Sequence, residues 1–271
     1  LVAIQGEAGS FSHMAALKLW PEGVQLVPTT SFRDLFQAVE TGGARFGVVP
    51  VENTLAGSVQ GNLELILEHR FHVVAETRVR IELSLVAPAG RTMDGIRTAA
   101  SHPVALQQCQ TFFASHPAVE PVAVYDTAGS IRDLMAGKAA YDAAIGSALA
   151  ARIYGGEVVK QEIEDNQENY TRFFAVSTEP SESQPKQAKA SLAFVVEHRP
   201  GSLHQALGIF ARRSLDLTKL ESRPIPGRPW EYRFFVDIRD VPSETLEACL
   251  EELSHLTSEL QVLGTYLESE G

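Results

Sequence analysis

The stretch Phe46-Gly-Val-Val-Pro-Val51 runs directly into Glu52-Asn53-Thr-Leu-Ala-Gly57-Ser58, and its reading decides the fold. A short Val-rich run predicts a buried strand, and the polar segment after it predicts a loop. Val59, Leu63, Ile66 and Leu67 then recur at helical spacing. Strand, polar loop and helix in that order form the repeating unit of an α/β sheet. Such sheets hold ligands beyond the carboxyl ends of their strands, where Asn53, Gly57 and Ser58 would sit.

The same unit recurs on both sides. Upstream, Val24 to Val27 predict a strand. Ser31-Phe-Arg-Asp34 then opens a helix with Leu35, Phe36 and Val39 on one face and Gly42 as its stop. Downstream, strands are expected over 73–76, 81–87, 97–101, 122–125, 143–146, 158–163 and 170–176. Helices are expected over 103–113 and around Ile131, Leu134 and Met135. This alternation predicts mainly parallel sheet with helices on both faces, divided into two lobes around a cleft. The expected lobes are 1–76 with 156–178, and 77–155.

Thr178 to Ala190 read TEPSESQPKQAKA, with no apolar residue larger than Ala, and predict a solvated linker over 179–189. Beyond it, Leu192 to Val196 suit a strand, and Leu203, Leu207 and Phe210 a helix. Leu215 to Ser222 and Glu231 to Ile238 predict two strands. A helix through Leu246, Leu250 and Leu253 and a last strand over 260–267 complete the pattern. This is the βαββαβ order of a ferredoxin-like domain over 190–271.

Composition narrows the function. With 23 Lys and Arg against 34 Asp and Glu, the net charge of −11 argues against nucleic-acid binding. No apolar run reaches the roughly 20 residues needed to span a bilayer. The first residues lack the order of a secretory signal, so a cytoplasmic location is expected. Only Cys109 and Cys249 are present, one in each expected domain, which argues against a disulfide framework. The eight His are scattered, so no metal site is expected.

Four loops carry candidate chemistry. Gly6-Glu-Ala-Gly9-Ser10-Phe-Ser12 joins a strand to a helix and suits either an anion at a helix N-terminus or a tight turn capped by Ser12. Its glycines do not follow the dinucleotide spacing. The loop at Asn53 suits either ligand contact or turn and cap. Ser101-His102-Pro103 sits at another strand end, with Gln108 further along the helix. In Asn169-Tyr170-Thr171-Arg172-Phe173, Thr171 and Arg172 point to opposite faces of a strand. Arg172 suits either a substrate carboxylate or a structural ion pair.

Taken together, VPVEN, Gly57-Ser58-Val59, SHPxxLxQC, AAIGSALAA and ENYTRF resemble, in the same order, the prephenate dehydratase family. The segments Arg199-Pro200-Gly201-Ser202-Leu203 and Leu220-Glu221-Ser222-Arg223-Pro224 resemble the regulatory ACT domain fused to that enzyme. The resemblance covers nearly the whole chain and implies a two-lobed, periplasmic-binding-protein-like catalytic region over 1–178. It implies Thr171 as the essential residue, with Asn53, Ser101 and Gln108 in the active site and no cofactor. Arg172, Ser10, Ser12, Gly57, Ser58 and Phe173 are expected to contact substrate. Gly201, Ser202, Leu203, Glu221, Ser222, Arg223 and Pro224 are implied to bind phenylalanine where ACT domains of a homodimer or homotetramer meet. One departure is Val104, where the family often has Gln. An arogenate dehydratase is the nearest rival, and a non-catalytic sensor of small acids is another.

Overall fold

The computed structural model describes residues 1–59, 61–181 and 187–268. The chain forms two compact units, one of Leu1–Leu65 with Thr77–Phe174, the other of Ile66–Glu76 with Ala175–Gly271.

The chain opens with β1 (Val2–Gln5), α1 (Phe11–Leu19), β2 (Leu26–Thr29), α2 (Phe32–Glu40), β3 (Phe46–Asn53), β4 (Gly57–Ser58), α3 (Asn62–Glu68) and β5 (His72–Arg80). Next come β6 (Ser84–Ala87), β7 (Thr98–Ser101), α4 (Pro103–Gln107), α5 (Gln110–Ser115), β8 (Glu120–Ala123) and α6 (Thr127–Met135). They are followed by β9 (Ala143–Gly146), α7 (Ala148–Tyr154), β10 (Glu157–Lys160) and β11 (Tyr170–Ser177).

Two sheets result, with strand orders β2-β1-β3-β11-β5, where β4 pairs with β3, and β10-β6-β9-β7-β8. In the first, β1 runs parallel to β2 and β3. The second is mixed rather than mainly parallel, because β6 lies antiparallel to both β9 and β10. Apolar faces explain the packing. Val2, Ile4, Val48 and Phe173 meet Ala15 and Ala16 of α1, and burying each large side chain stabilises by about 1.5–3 kcal/mol.

The lobe boundaries expected from sequence need correction at β10. Residues 157–160 belong to the second sheet, because Val158 and Val159 pack into that sheet's two cores. The single helix expected over 103–113 is two, α4 and α5, interrupted at Gln108 and Cys109.

The second unit contains β12 (Gln187–Val196), α8 (Ser202–Arg212), β13 (Asp216–Ile225), β14 (Arg228–Pro242), α9 (Ser243–Ser254) and β15 (Thr257–Tyr266). The order β13-β14-β12-β15 is a ferredoxin-like sheet, and α8 and α9 cover it through Ile209, Phe210, Leu246 and Leu253. The solvated linker expected over 179–189 is corrected at its end. Residues 187–189 start β12, and Lys189 is buried with Nζ 3.0 Å from Glu76 Oε1. Residues 182–186 of that linker lie outside the described ones. Among the described residues, no helix is long and apolar enough to cross a membrane.

Candidate active site

A cavity of about 450 Å³ lies in the first unit. Asn53 ends β3 and Thr171 stands near the start of β11, and because these strands are neighbours the two side chains meet at the cavity wall. Asn53 Nδ2 donates to Thr171 Oγ1 at 3.0 Å, to Asn169 Oδ1 at 2.7 Å and to the Tyr170 carbonyl at 3.2 Å. At the other end of the amide, Oδ1 accepts from the Leu55 and Ala56 N–H groups at 3.0 and 2.9 Å. Two backbone donors on that oxygen leave one orientation for the amide, with nitrogen toward β11. Thr171 Oγ1 therefore accepts from Asn53, and its own proton is left for a group in the cavity.

Ser10, Ser12, Gly57, Ser58, Phe173 and Gln108 also line the cavity. Ser10, not Ser12, caps α1, accepting from His13 N at 3.3 Å. Gln108 caps the C-terminal end of α4, and its carbonyl accepts from Asp165 N at 2.6 Å. Val104, the departure noted above, is on the wall too and 51% exposed.

Two expected residues are not on the wall. Ser101 is fully buried and spends its hydroxyl on the Ile145 carbonyl at 2.7 Å, tying β7 to β9. Arg172, on the opposite face of β11 from Thr171, lies 3.7 Å from Glu52 and over the Phe174 ring at 4.8 Å. Neither side chain is among those lining the cavity.

The structure adds His102, Tyr125 and Asp126 to the wall. His102 Nδ1 accepts from Val104 N at 3.3 Å, so the ring's proton sits on Nε2 when the imidazole is neutral. Asp126 caps α6, accepting from Gly129 N at 2.6 Å. Burial raises its carboxyl above the usual range, and the nearby Glu7 charge adds to this, against the Gly129 hydrogen bond. Tyr125 accepts from Arg132 Nη2 at 2.8 Å, and Arg132 pairs with Glu7 at 2.5 Å. Burial, reinforced by Asp133, pushes the Tyr125 hydroxyl up to about 12. Asp126-Thr127 had a legible signal: an Asp between a strand run and a helical run suits the N-cap position.

No Lys or Arg is among the described residues lining the cavity. Positive potential comes instead from the N-terminal ends of α1 and α6, whose caps Ser10 and Asp126 are both on the wall. Gly9 serves packing rather than ligand approach. Its φ is +87°, and a Cβ there would stand 2.5 Å from Ala150 Cα, while Ser147 Oγ donates to the Gly9 carbonyl at 2.5 Å. The small residues at the start of α7 are what admit that loop.

A prephenate dehydratase family model matches residues 2–181. The chain belongs to this family. An ACT domain model matches residues 190–248. Arogenate dehydratase/prephenate dehydratase 2, chloroplastic, of Arabidopsis thaliana is 36% identical over 276 residues, covering 98% of this chain and 72% of the relative. The crystal structure of prephenate dehydratase in complex with L-Phe from Arthrobacter aurescens aligns with a TM-score of 0.85 at 26% identity, covering 99% of this chain and 90% of that one. GqqA, described as a novel type of quorum quenching acylase, aligns with a TM-score of 0.89 at 31% identity, covering 99% and 98%. The prephenate dehydratase region has the two-sheet, periplasmic-binding-protein-like α/β arrangement, followed by the ferredoxin-like ACT fold.

In the ACT domain, Gly201 takes φ +86° and opens α8. Ser202 and Leu203 line a smaller cavity of about 110 Å³ together with Arg199, Trp230 and Tyr232. Glu221, Ser222, Arg223 and Pro224 lie on β13, the edge strand, with β14 between them and β12. Glu221 is held there by Lys219 at 2.9 Å and Arg223 at 2.5 Å.

Proposed function

We propose that this chain converts prephenate to phenylpyruvate, and that phenylalanine bound at the ACT domain inhibits it. The observation that carries the reading is the Asn53–Thr171 contact on the cavity wall. Prephenate loses its ring carboxylate as CO2 and its 4-hydroxyl as water, and aromatisation drives both departures. The protein has to hold a dianion, assist the leaving oxygen and exclude water.

The N-terminal ends of α1 and α6 hold the carboxylates, with no Lys or Arg among the described residues of the wall. Thr171 donates its free proton to the leaving hydroxyl as a hydrogen bond, since a threonine hydroxyl is too weak an acid to give the proton up. Asp126, whose raised pKa keeps a larger protonated fraction, supplies the proton that converts the leaving group to water. Gln108, Ser12 and Ser58 orient the ring and the pyruvyl arm, and Phe173 and Leu83 keep the wall dry.

The proposed organisation is a catalytic region over 1–178 and an ACT domain over 190–271. Association through the ACT domain is supported by exposed Leu220, Trp230 and Tyr232 on β13 and β14. A shared phenylalanine site would then join Gly201–Leu203 of one copy to Glu221–Pro224 of another. A cytoplasmic site of action is supported by two free, buried cysteines, with thiols pushed up by burial to about 12 at Cys109 and about 11 at Cys249.

Incubation with prephenate and with arogenate, each with and without phenylalanine, tests the proposal. Phenylpyruvate from prephenate, suppressed by phenylalanine, is expected. Turnover of arogenate alone would reassign the substrate. Cleavage of N-acyl amides without either dehydration would place the chain with the acylase.

A further inference from the structure

We propose that Asn169 is a positioning residue for this reaction, aiming the Asn53 amide so that Thr171 is left as a donor toward substrate. The proposal rests on the reading of Thr171 given above. Asn169 is 1% exposed, and its Oδ1 makes the shortest of the three bonds to Asn53 Nδ2, at 2.7 Å. Its backbone is anchored as well, since the Asn169 carbonyl accepts from Ile81 N at 2.7 Å.

The other end of the side chain is the telling feature. Asn169 Nδ2 is buried and has no hydrogen-bond partner among the described protein groups. A buried, unsatisfied donor is costly for folding, and native structures carry few of them. Turning the amide over does not help, because it would set two NH2 groups against each other. The Asn53 orientation is already dictated by the Leu55 and Ala56 N–H groups. Accepting from Asn53 therefore forces the orphan.

Folding alone gives no reason to keep that amide. Without Asn169 Oδ1, the two Asn53 N–H bonds would still find the Tyr170 carbonyl and Thr171 Oγ1. The Leu55 and Ala56 N–H groups would still fix which end of the amide faces β11, but its two hydrogens would be shared between the longer Tyr170 contact and Thr171, and the bond to Thr171 would loosen. Asn169 Oδ1 holds one Asn53 hydrogen in place and so directs the other at Thr171.

The test compares the full-length parent with Asn169→Leu, which removes both the acceptor and the orphan, and Asn169→Asp, which keeps an acceptor. For Asn169→Leu, kcat should fall roughly 100-fold, the scale of a misplaced catalytic group. KM should hold and the melting temperature should equal or exceed the parent's. Asn169→Asp should restore most of the lost kcat. A merely structural role predicts lower stability with parental kcat in the folded fraction, and that result overturns the proposal. Should Asn169→Leu not fold, Asn169→Ala gives the same readout. If the parent itself does not turn over prephenate, the activity reading fails separately. The crystal structure of the Leu variant then decides the positioning role, which is overturned if the Asn53 amide keeps its place on Thr171.

Discussion

Asn53 Nδ2 and Thr171 Oγ1 lie 3.0 Å apart although 118 positions separate them in the chain. The contact turns the threonine into an acceptor on one side and a donor on the other. It makes Thr171 an oriented donor at the cavity wall.

Thr171→Val keeps the shape of the side chain and removes that donor. Asn53 retains Asn169 and Tyr170 as acceptors, so the variant should melt near the parent temperature. Its kcat should drop by about 10²- to 10³-fold, the usual range for one lost hydrogen-bond donor to the group where charge develops. Stopped assays of phenylpyruvate beside a thermal melt check both halves, and parental turnover would remove Thr171 from the mechanism.

Asp126 predicts a pH signature. Its pKa is raised in the folded state by burial, so the folded protein binds this proton more tightly than the unfolded chain does. Its contribution to stability is present at low pH and declines as pH rises from the ordinary carboxylate range through the raised folded pKa. As the proton donor, it should also impose a fall in kcat/KM on the alkaline side of that pKa. Asp126→Asn keeps the helix cap, because Asn serves that position as well as Asp. The variant should lose turnover and the alkaline limb, and its stability relative to the parent should improve as pH rises. A rate profile and melts at several pH values test this.

Gly9→Ala should destabilise the first unit. The φ of +87° disfavours any side chain, and the new Cβ would collide with the Ala150 backbone rather than a flexible side chain. Overpacking of this kind costs about 1–3 kcal/mol before the backbone strain is counted. Urea denaturation would show the lowered midpoint.

The Lys189–Glu76 pair predicts an asymmetry between single and double replacement. Both side chains are buried, and Lys189 also lies 3.5 Å from Glu268. Lys189→Met removes the cation 3.0 Å from the buried Glu76 carboxylate and should cost about 3–5 kcal/mol. Lys189→Met combined with Glu76→Gln removes both charges and should recover much of that loss. Equilibrium unfolding of the three proteins measures it.

Much of the architecture was legible from periodicity. The Val-rich run at 46–51, the helical spacing of Leu35, Phe36 and Val39, and the βαββαβ order after residue 190 all appear as read. Periodicity works for these because it records which face of an element is buried. It could not see the break at Gln108, since helical spacing continues across 103–113, nor the buried Lys189 in a polar stretch whose composition suits solvent.

The sequence by itself determined the α/β and ferredoxin-like character, the family, and Thr171, Asn53, Ser101 and Gln108 as the residues to watch. Only the tertiary structure decided that Ser101 serves Ile145, that Arg172 faces Glu52, and that Asp126 joins the wall. The physical reason is that a polar side chain's role depends on its partner within about 3 Å. That partner is chosen by strand order, and placing β11 beside β3 joins residues that no local pattern connects.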